Sequence, residues 1–407
     1  MPELEDAILY IGGGASQIVP IASLSEAAFY VAATDRNLSS PCATVASDVF
    51  TVDATDIAGL IEVADKISKH RRLVGVYGVA DYAFASVMAV ARHIGLKGPV
   101  AESVELFTDK ARTVTRLRDN GLPVPETHWV GQPGKRPPPK QLEALSGQNI
   151  VVKARSLNNS SGVHVLPGCN LDMIHAAIDS IYAQSDGVLI ESFVEGYIAN
   201  VDGLMLDGSF FSISTTRRRN DPDIPSICTT MIQPAGGPEF TEKASALAES
   251  AARALGMVTG PLTVDLIVAG DGEMTILEVS PHFHNIGSEI LRKNGNPLLA
   301  YFTWLRGDPG WRTYLPNGSA RHGVLCQKLI DQSGTIVSIE GREELARQPG
   351  YAASHFVRDV GDRVSCGPLH KDLLCLVWAT GRNEGEINAL IEHVECHLVA
   401  VINNSDT

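Results

Sequence analysis

The stretch Leu262–Gly287, LTVDLIVAGDGEMTILEVSPHFHNIG, decides how the chain is read. Its first run, LTVDLIVA, alternates and stops at Gly270-Asp271-Gly272, a turn signal; MTILEVS then runs back toward the same edge, the pattern of a β-hairpin. This arrangement sets Asp265 and Glu278 facing each other at one end of the pair. Strand-borne carboxylates placed in this way suit a hard cation such as Mg²⁺, which takes oxygen ligands and keeps positions open for water and phosphate. Two acids on a hairpin are also an ordinary surface feature, so the rest of the chain has to decide.

With 407 residues the chain has room for two to four domains at roughly 100 to 200 residues each. Hydrophobic residues make up 44%, enough for several cores. The balance of 47 acidic against 33 basic residues, net −14, excludes a broad phosphate-backbone interface, so no nucleic-acid partner is expected. The chain contains no apolar run of the roughly 18 residues a membrane span needs. Its first residues, MPELEDAILYIGGG, are acidic where a secretory signal is basic. The expectation is a soluble cytoplasmic protein without a membrane partner. The seven cysteines show no C-x-x-C spacing and an odd total, which favours reduced thiols over a zinc site or a disulfide framework.

Taken in order, Ala7 to Ile11 reads as a strand ending in Gly12-Gly13-Gly14, followed by a helical stretch to about Phe29 and a second strand, FYVAAT, ending at Asp35. Gln17 stands where the dinucleotide fingerprint needs its third glycine, so this is a Rossmann-like half without a bound dinucleotide, and a dehydrogenase reading fails. Helix over 57–68, strand over 73–77 and helix over 81–94 continue the alternation of a parallel α/β domain ending near Pro99. A helix carrying Lys110 follows. GQPGKRPPPK reads as a linker, and NIVVKARSLNNSSGVHVL as a strand ending in Lys153, a polar loop and a second strand. The loop, with Ser160, Ser161 and Gly162, has the composition of an anion cradle. Beyond a helix at 171–183, an apolar strand ends in Glu191, a strand pair turns at Asp207-Gly208, and Arg217, Arg218 and Arg219 follow. The segment 221–237, punctuated by proline and glycine, is long enough to act as a lid, and a helix over 239–255 leads into the hairpin.

The order strand-lysine (VVK), polar loop, strand-glutamate (LIES), V-E-G, D-G hairpin, basic residue, helix ending in A-L-G, then V-D-L-I, D-G and I-L-E-V resembles the ATP-grasp superfamily from about Thr108 to Leu305. The resemblance implies an α/β chain in three parts: a Rossmann-like pre-ATP-grasp domain over 1–100, a two-lobed α+β ATP-grasp domain over 101–306, and a small C-terminal α+β domain over 307–407 similar to that of L-amino-acid ligases. It implies ATP with two metal ions, Mg²⁺ or Mn²⁺. Lys110 and Lys153 would meet phosphates with the 160–162 loop. Glu191, Phe193, Val194 and Glu195 would line the adenosine, Asp265, Glu278 and Ser280 would hold metal, and Arg217 would face the transferring phosphate. Such groups neutralise and orient phosphoryl oxygens, which is most of what phosphoryl transfer asks of a protein.

Three positions depart from the family. Ser280 replaces a metal-binding asparagine, His282 replaces an arginine that holds the acyl phosphate or substrate carboxylate, and Ile198 stands where an acid binds ribose, so that either Glu195 or Asp202 substitutes or the ribose contact is lost. A protonated His282 would restore part of the missing charge. The implied function is an ATP-dependent carboxylate–amine ligase acting through an acyl phosphate, with an amino acid as one substrate and a small-molecule acid and amine as partners, in a homodimer, the common default for soluble enzymes. The alternatives are a purine-type or carboxylase-like enzyme using bicarbonate or formate, and an ATP-binding protein with a degenerate site.

Overall fold

Four parallel strands open the chain: β1 (Asp6–Ile11), β2 (Tyr30–Asp35), β3 (Asp48–Thr51) and β4 (Arg72–Gly78), in the sheet order β3-β2-β1-β4. The computed structural model describes residues 4–157, 162–185, 187–224, 227–284, 295–316, 322–367 and 370–403. The middle strands are apolar on both faces because helices cover both, the usual reason parallel strands read as unbroken hydrophobic runs. α1 (Ile18–Glu26) covers one face, and α2 (Ile57–Ser68) and α3 (Phe84–Ile94) the other. The glycine turn after β1 is closed from within, since the Gly13 amide donates to Asp35 Oδ2 at 3.1 Å. The short β3 had no signal of its own in the sequence.

β5 (Val100–Ala101), α4 (Glu105–Thr108) and α5 (Lys110–Asp119) lead out of this unit. Asp109 caps α5 by accepting from the Ala111 and Arg112 amides, and so fixes where Lys110 begins the helix. A second, antiparallel sheet follows, ordered β6-β9-β7-β8, from β6 (Thr127–Gly131), β7 (Ile150–Ala154), β8 (Val163–Leu166) and β9 (Val188–Ser192). α6 (Pro139–Leu145) and α7 (Leu171–Tyr182) cover one side of it. Gly162 opens β8 at φ +66°, where a Cβ would also lie 3.1 Å from Ala154 and Leu157.

The largest sheet runs β14-β13-β10-β11-β12-β15-β19-β17, with β5 attached to β13. Its strands are β10 (Tyr197–Leu206), β11 (Ser209–Asn220), β12 (Cys228–Gln233), β13 (Met257–Val268), β14 (Met274–Ser280), β15 (His322–Ile330), β17 (Tyr351–Phe356) and β19 (Asp372–Gly381). Gly196, just before β10, has φ +153° and lies so close to β13 that a Cβ would stand 2.4 Å from the Val268 carbonyl oxygen. α8 (Pro238–Ala254) packs on this sheet through Ala244, Ala248, Ala251 and Ala252, whose small side chains let the helix approach closely. The segment expected to form a lid contains β12, paired with β11 and β15. Its β-branched and apolar residues fit a pleated sheet interior better than an open loop.

Helix α9 (Pro297–Leu305), PLLAYFTWL, is buried along all its nine residues, as expected of a helix apolar all round. It returns to pack on β4, where Phe302 fills the space left by Gly75. Beyond it, β16 (Gly334–Glu340), β18 (Arg363–Val364) and β20 (Val399–Asn403) form a small sheet, α10 (Arg342–Leu345) follows β16, and α11 (Glu384–Glu392) packs against β15 and β19. The last helix gives way at His393–His397 to a wider π turn. No helix among the described residues is long and apolar enough to cross a membrane.

Candidate functional site

β13 and β14 pair in antiparallel register with Asp265 directly opposite Glu278, as the D-G turn predicted. Each acid already has a cation. Lys110 Nζ lies 2.7 Å from Glu278 Oε1 and also donates to the Leu157 carbonyl at 2.8 Å, so one ammonium ties Leu157, just beyond β7, to the acid strand. Burial works to lower the Lys110 pKa, but the charge and hydrogen bond of Glu278, with the charges of Asp81 and Asp265, outweigh it and hold it above the ordinary lysine value. Across the sheet, Arg218 Nη2 donates to Asp265 Oδ2 at 3.0 Å, and the Asn200 side-chain amide donates to Asp265 Oδ1. Burial raises the Asp265 carboxyl to about 6 even with Arg218 pulling it down, and Glu278 adds to the rise.

The arginine run is resolved by strand alternation. Arg218 faces the acids, whereas Arg217, singled out from the sequence, makes its contact with Glu384 of α11 at 3.2 Å, and Arg219 lies 3.8 Å from Glu395. Neighbouring residues on a strand point to opposite faces, so only one parity of the run can reach Asp265.

Past β14, His282 lies 3.3 Å from Asp81 Oδ1, and its Nδ1 is 2.9 Å from the Phe283 carbonyl oxygen. Burial would lower the His282 pKa; the Asp81 hydrogen bond and charge reverse that and raise it. A carboxylate therefore faces His282 from one side and a backbone carbonyl from the other, and both ring nitrogens are engaged. Asp81 belongs to the turn before α3 and was not picked out in the sequence. Burial alone would raise its pKa, yet hydrogen bonds from His282 and Ser280 and the nearby charges hold it below the usual carboxylate range. Asp202, one of the two acids considered for ribose, is 1% exposed and accepts from Thr263 Oγ1 at 2.6 Å, Ser214 Oγ at 3.0 Å and the His284 amide at 2.8 Å. It is a buried post beneath the segment that follows β14. Glu195 is exposed.

On the second sheet, Lys153 Nζ lies 2.6 Å from Glu191 Oε2, with side chains 6% and 1% exposed. Glu191 Oε1 is buried without a hydrogen-bond partner, an acceptor left open at the end of β9. Phe193 is exposed and Val194 half-buried in the connection from β9 to β10. Ser160 and Ser161 lie outside the described residues. Among the described residues no group of three or more His, Cys, Asp or Glu side chains is arranged to hold a metal.

No family model matches the chain. An uncharacterized protein of Sinorhizobium fredii is 26% identical over 338 residues, covering 79% of this chain and 67% of that protein. Among solved structures, an L-amino acid ligase from Bacillus licheniformis superposes with a TM-score of 0.79 at 17% identity, covering 99% of this chain and 100% of the other. The biotin carboxylase domain of the Hydrogenobacter thermophilus 2-oxoglutarate carboxylase, solved with MgADP, ADP and bicarbonate, gives 0.71 at 13% identity over 98% of this chain and 92% of that one. Agreement along nearly the whole length of both shows that the chain has the fold of the ATP-grasp ligases, the resemblance that its ordered lysines and acids carried in the sequence.

Proposed function

We propose that this chain is an ATP-dependent carboxylate–amine ligase that joins an acid and an amine, at least one of them an amino acid, through an acyl phosphate. The observation that carries the reading is the meeting of Lys110 with the Leu157 carbonyl and with Glu278, which pairs with Asp265 across the hairpin. Lysines beside a loop and a hairpin of acids supply the charge pattern that a metal-bound triphosphate needs. Lys110 and Lys153 bind phosphate oxygens, Glu191 Oε1 accepts from the adenine amino group, and Val194 with Phe193 flanks the ring. Glu195 is the remaining acid for the ribose. Glu278 and Ser280, two residues apart on one strand face, would hold Mg²⁺, which when bound supplies charge stabilisation on the β- and γ-phosphates.

In the reaction a substrate carboxylate oxygen attacks the γ-phosphorus and the bond to the bridging oxygen breaks, releasing ADP. The amine nitrogen then attacks the acyl carbon, phosphate departs and the amine proton passes to solvent. The protein contributes position and charge rather than a covalent nucleophile. His282, turned toward Asp81 and the Phe283 carbonyl, acts by shaping the segment after β14. A cytoplasmic homodimer is the setting proposed for this activity.

The test is phosphate release in ATP and Mg²⁺, screened over paired acids and amines, with bicarbonate and formate included as acids. Release that requires both an acid and an amine, and disappears in Glu278→Gln, is expected. Release indifferent to either co-substrate would sink the ligase reading, and release with bicarbonate alone would move the chain to the carboxylase-like class.

A further inference from the structure

The two acids of the hairpin are not equivalent. Glu278 has one oxygen on Lys110 and a third of its side chain open to solvent, at 32%. Asp265 has both oxygens engaged, Oδ1 by the Asn200 amide and Oδ2 by Arg218, and is 16% exposed. Arg218 is itself held from three sides. Its Nε donates to Asn200 Oδ1 at 2.7 Å, and its Nη2 donates both to Asp265 Oδ2 at 3.0 Å and to His284 Nε2 at 2.9 Å. Those acceptors come from β10, from β13 and from the segment after β14. Asn200 is fully buried, so the arginine, the amide and the carboxylate form a closed triangle across three strands.

We propose that the Arg218 guanidinium permanently takes the place of one of the two divalent cations expected between these acids, so that the chain loads a single divalent ion, at Glu278, with each nucleotide. Five features support this. A guanidinium keeps its charge at every accessible pH, so it repels a cation approaching Asp265 from the same side. It cannot swing away without leaving Asn200 Oδ1 and His284 Nε2 without donors, and buried acceptors are costly to strand. His284 is kept neutral, first by burial and then by the charges of Arg218 and His282, which suits an acceptor of the Arg218 N–H. Mg²⁺ demands near-ideal octahedral oxygen geometry, and a carboxylate already holding two donors from the protein is a poor contributor to it. Ser280, where the family has asparagine, is in keeping with a site that has given up one ion.

The inference rests on the nucleotide-binding reading, and one experiment separates the two. Chain, a non-hydrolysable ATP analogue and Mn²⁺ are brought to equilibrium by dialysis, and bound analogue and bound Mn²⁺ are counted, the metal by its electron paramagnetic resonance. One Mn²⁺ per bound analogue is expected in the wild type, rising to two in Arg218→Met, where Asp265 is released. Two ions per analogue in the wild type would overturn the inference and leave nucleotide binding intact, and this count stands even if the variant does not fold. A count that stays at one in folded Arg218→Met would also overturn it. Failure to retain any analogue would remove both proposals together.

Discussion

At the scale of single residues, the strongest commitment in the molecule is the Lys153–Glu191 pair, a contact of 2.6 Å with almost no exposure. Two charges taken out of water in this way add little net stability, but removing one partner strands the other, at a cost of about 3–5 kcal/mol. Lys153→Met should therefore lower the urea midpoint by a corresponding amount, while Lys153→Met combined with Glu191→Leu should recover most of the loss. Both variants should fail to retain ADP in equilibrium dialysis. If the double variant were as unstable as the single one, the pair would be contributing through packing, not charge. Lys153, Glu191, Asp265 and Glu278 were legible in the sequence because each sits at a countable place on a strand next to a turn. Arg218 was not, since the parity that turns it inward depends on how β11 registers on β10, and that register is shifted by an irregularity between Asp202 and Gly203.

Between elements, the Asp81–His282 contact joins the turn before α3 to the segment after β14, two places some 200 residues apart in the sequence. Nothing local could have announced it, because an acid in a short turn is usually a solvated cap and only the packing of the first sheet against the hairpin brings it to the site. The contact is backed by the Tyr77 hydroxyl, which accepts from the Phe283 amide at 3.2 Å. Together these fix the path of the segment that leaves β14. Asp81→Asn and His282→Asn should each destabilise the chain, and the double variant should cost less than the sum, with a coupling of roughly 0.5–3 kcal/mol of the kind seen for groups in direct contact. Strict additivity in a urea double-mutant cycle would mean that the two groups merely lie near each other. The expected lid failed for a related reason: proline and glycine punctuate 221–237, yet Thr229, Thr230 and Ile232 between them are good strand residues, and β11 on one side and β15 on the other give that strand its partners.

At the scale of the whole molecule, the three parts read from the sequence are stitched together more than their boundaries imply. Lys371, 11% exposed in its side chain, lies 2.8 Å from Asp221, 3.1 Å from Asp223 and 2.9 Å from Asp331, and so fastens the segment after β11 to the end of β15 and the start of β19. Hydrogen bonds from Asp221 and then Asp331 raise its pKa, so its contribution is complete below the ordinary lysine value and is lost only as pH climbs through the raised one. Asp221, which burial would push up, is lowered by the Lys371 hydrogen bond, so its share is present above the ordinary carboxyl value and fades only as pH falls through the lowered one. The clasp should thus be level between about pH 5 and pH 10, and Lys371→Met should cost about 3 kcal/mol across that window, because it strands the buried Asp221. A loss that varied strongly within the window would point to another group. The same continuity predicts what happens when the chain is cut at 306. β12 pairs with β15 from Thr230↔Cys326 to Gln233↔Gly323, and Met231 and Ile232 are 1% exposed under that cover. A fragment of residues 1–306 would expose this row of unpaired amides and carbonyls beside apolar side chains, a template for association with other copies. The fragment should form soluble aggregates or precipitate, as read by size-exclusion chromatography, and replacing Met231 with Lys, which puts a charge on the bared edge, should recover monomer without restoring nucleotide-dependent phosphate release. A monomeric, active fragment would instead show that the part beyond 306 is an independent domain and that the shared sheet is incidental.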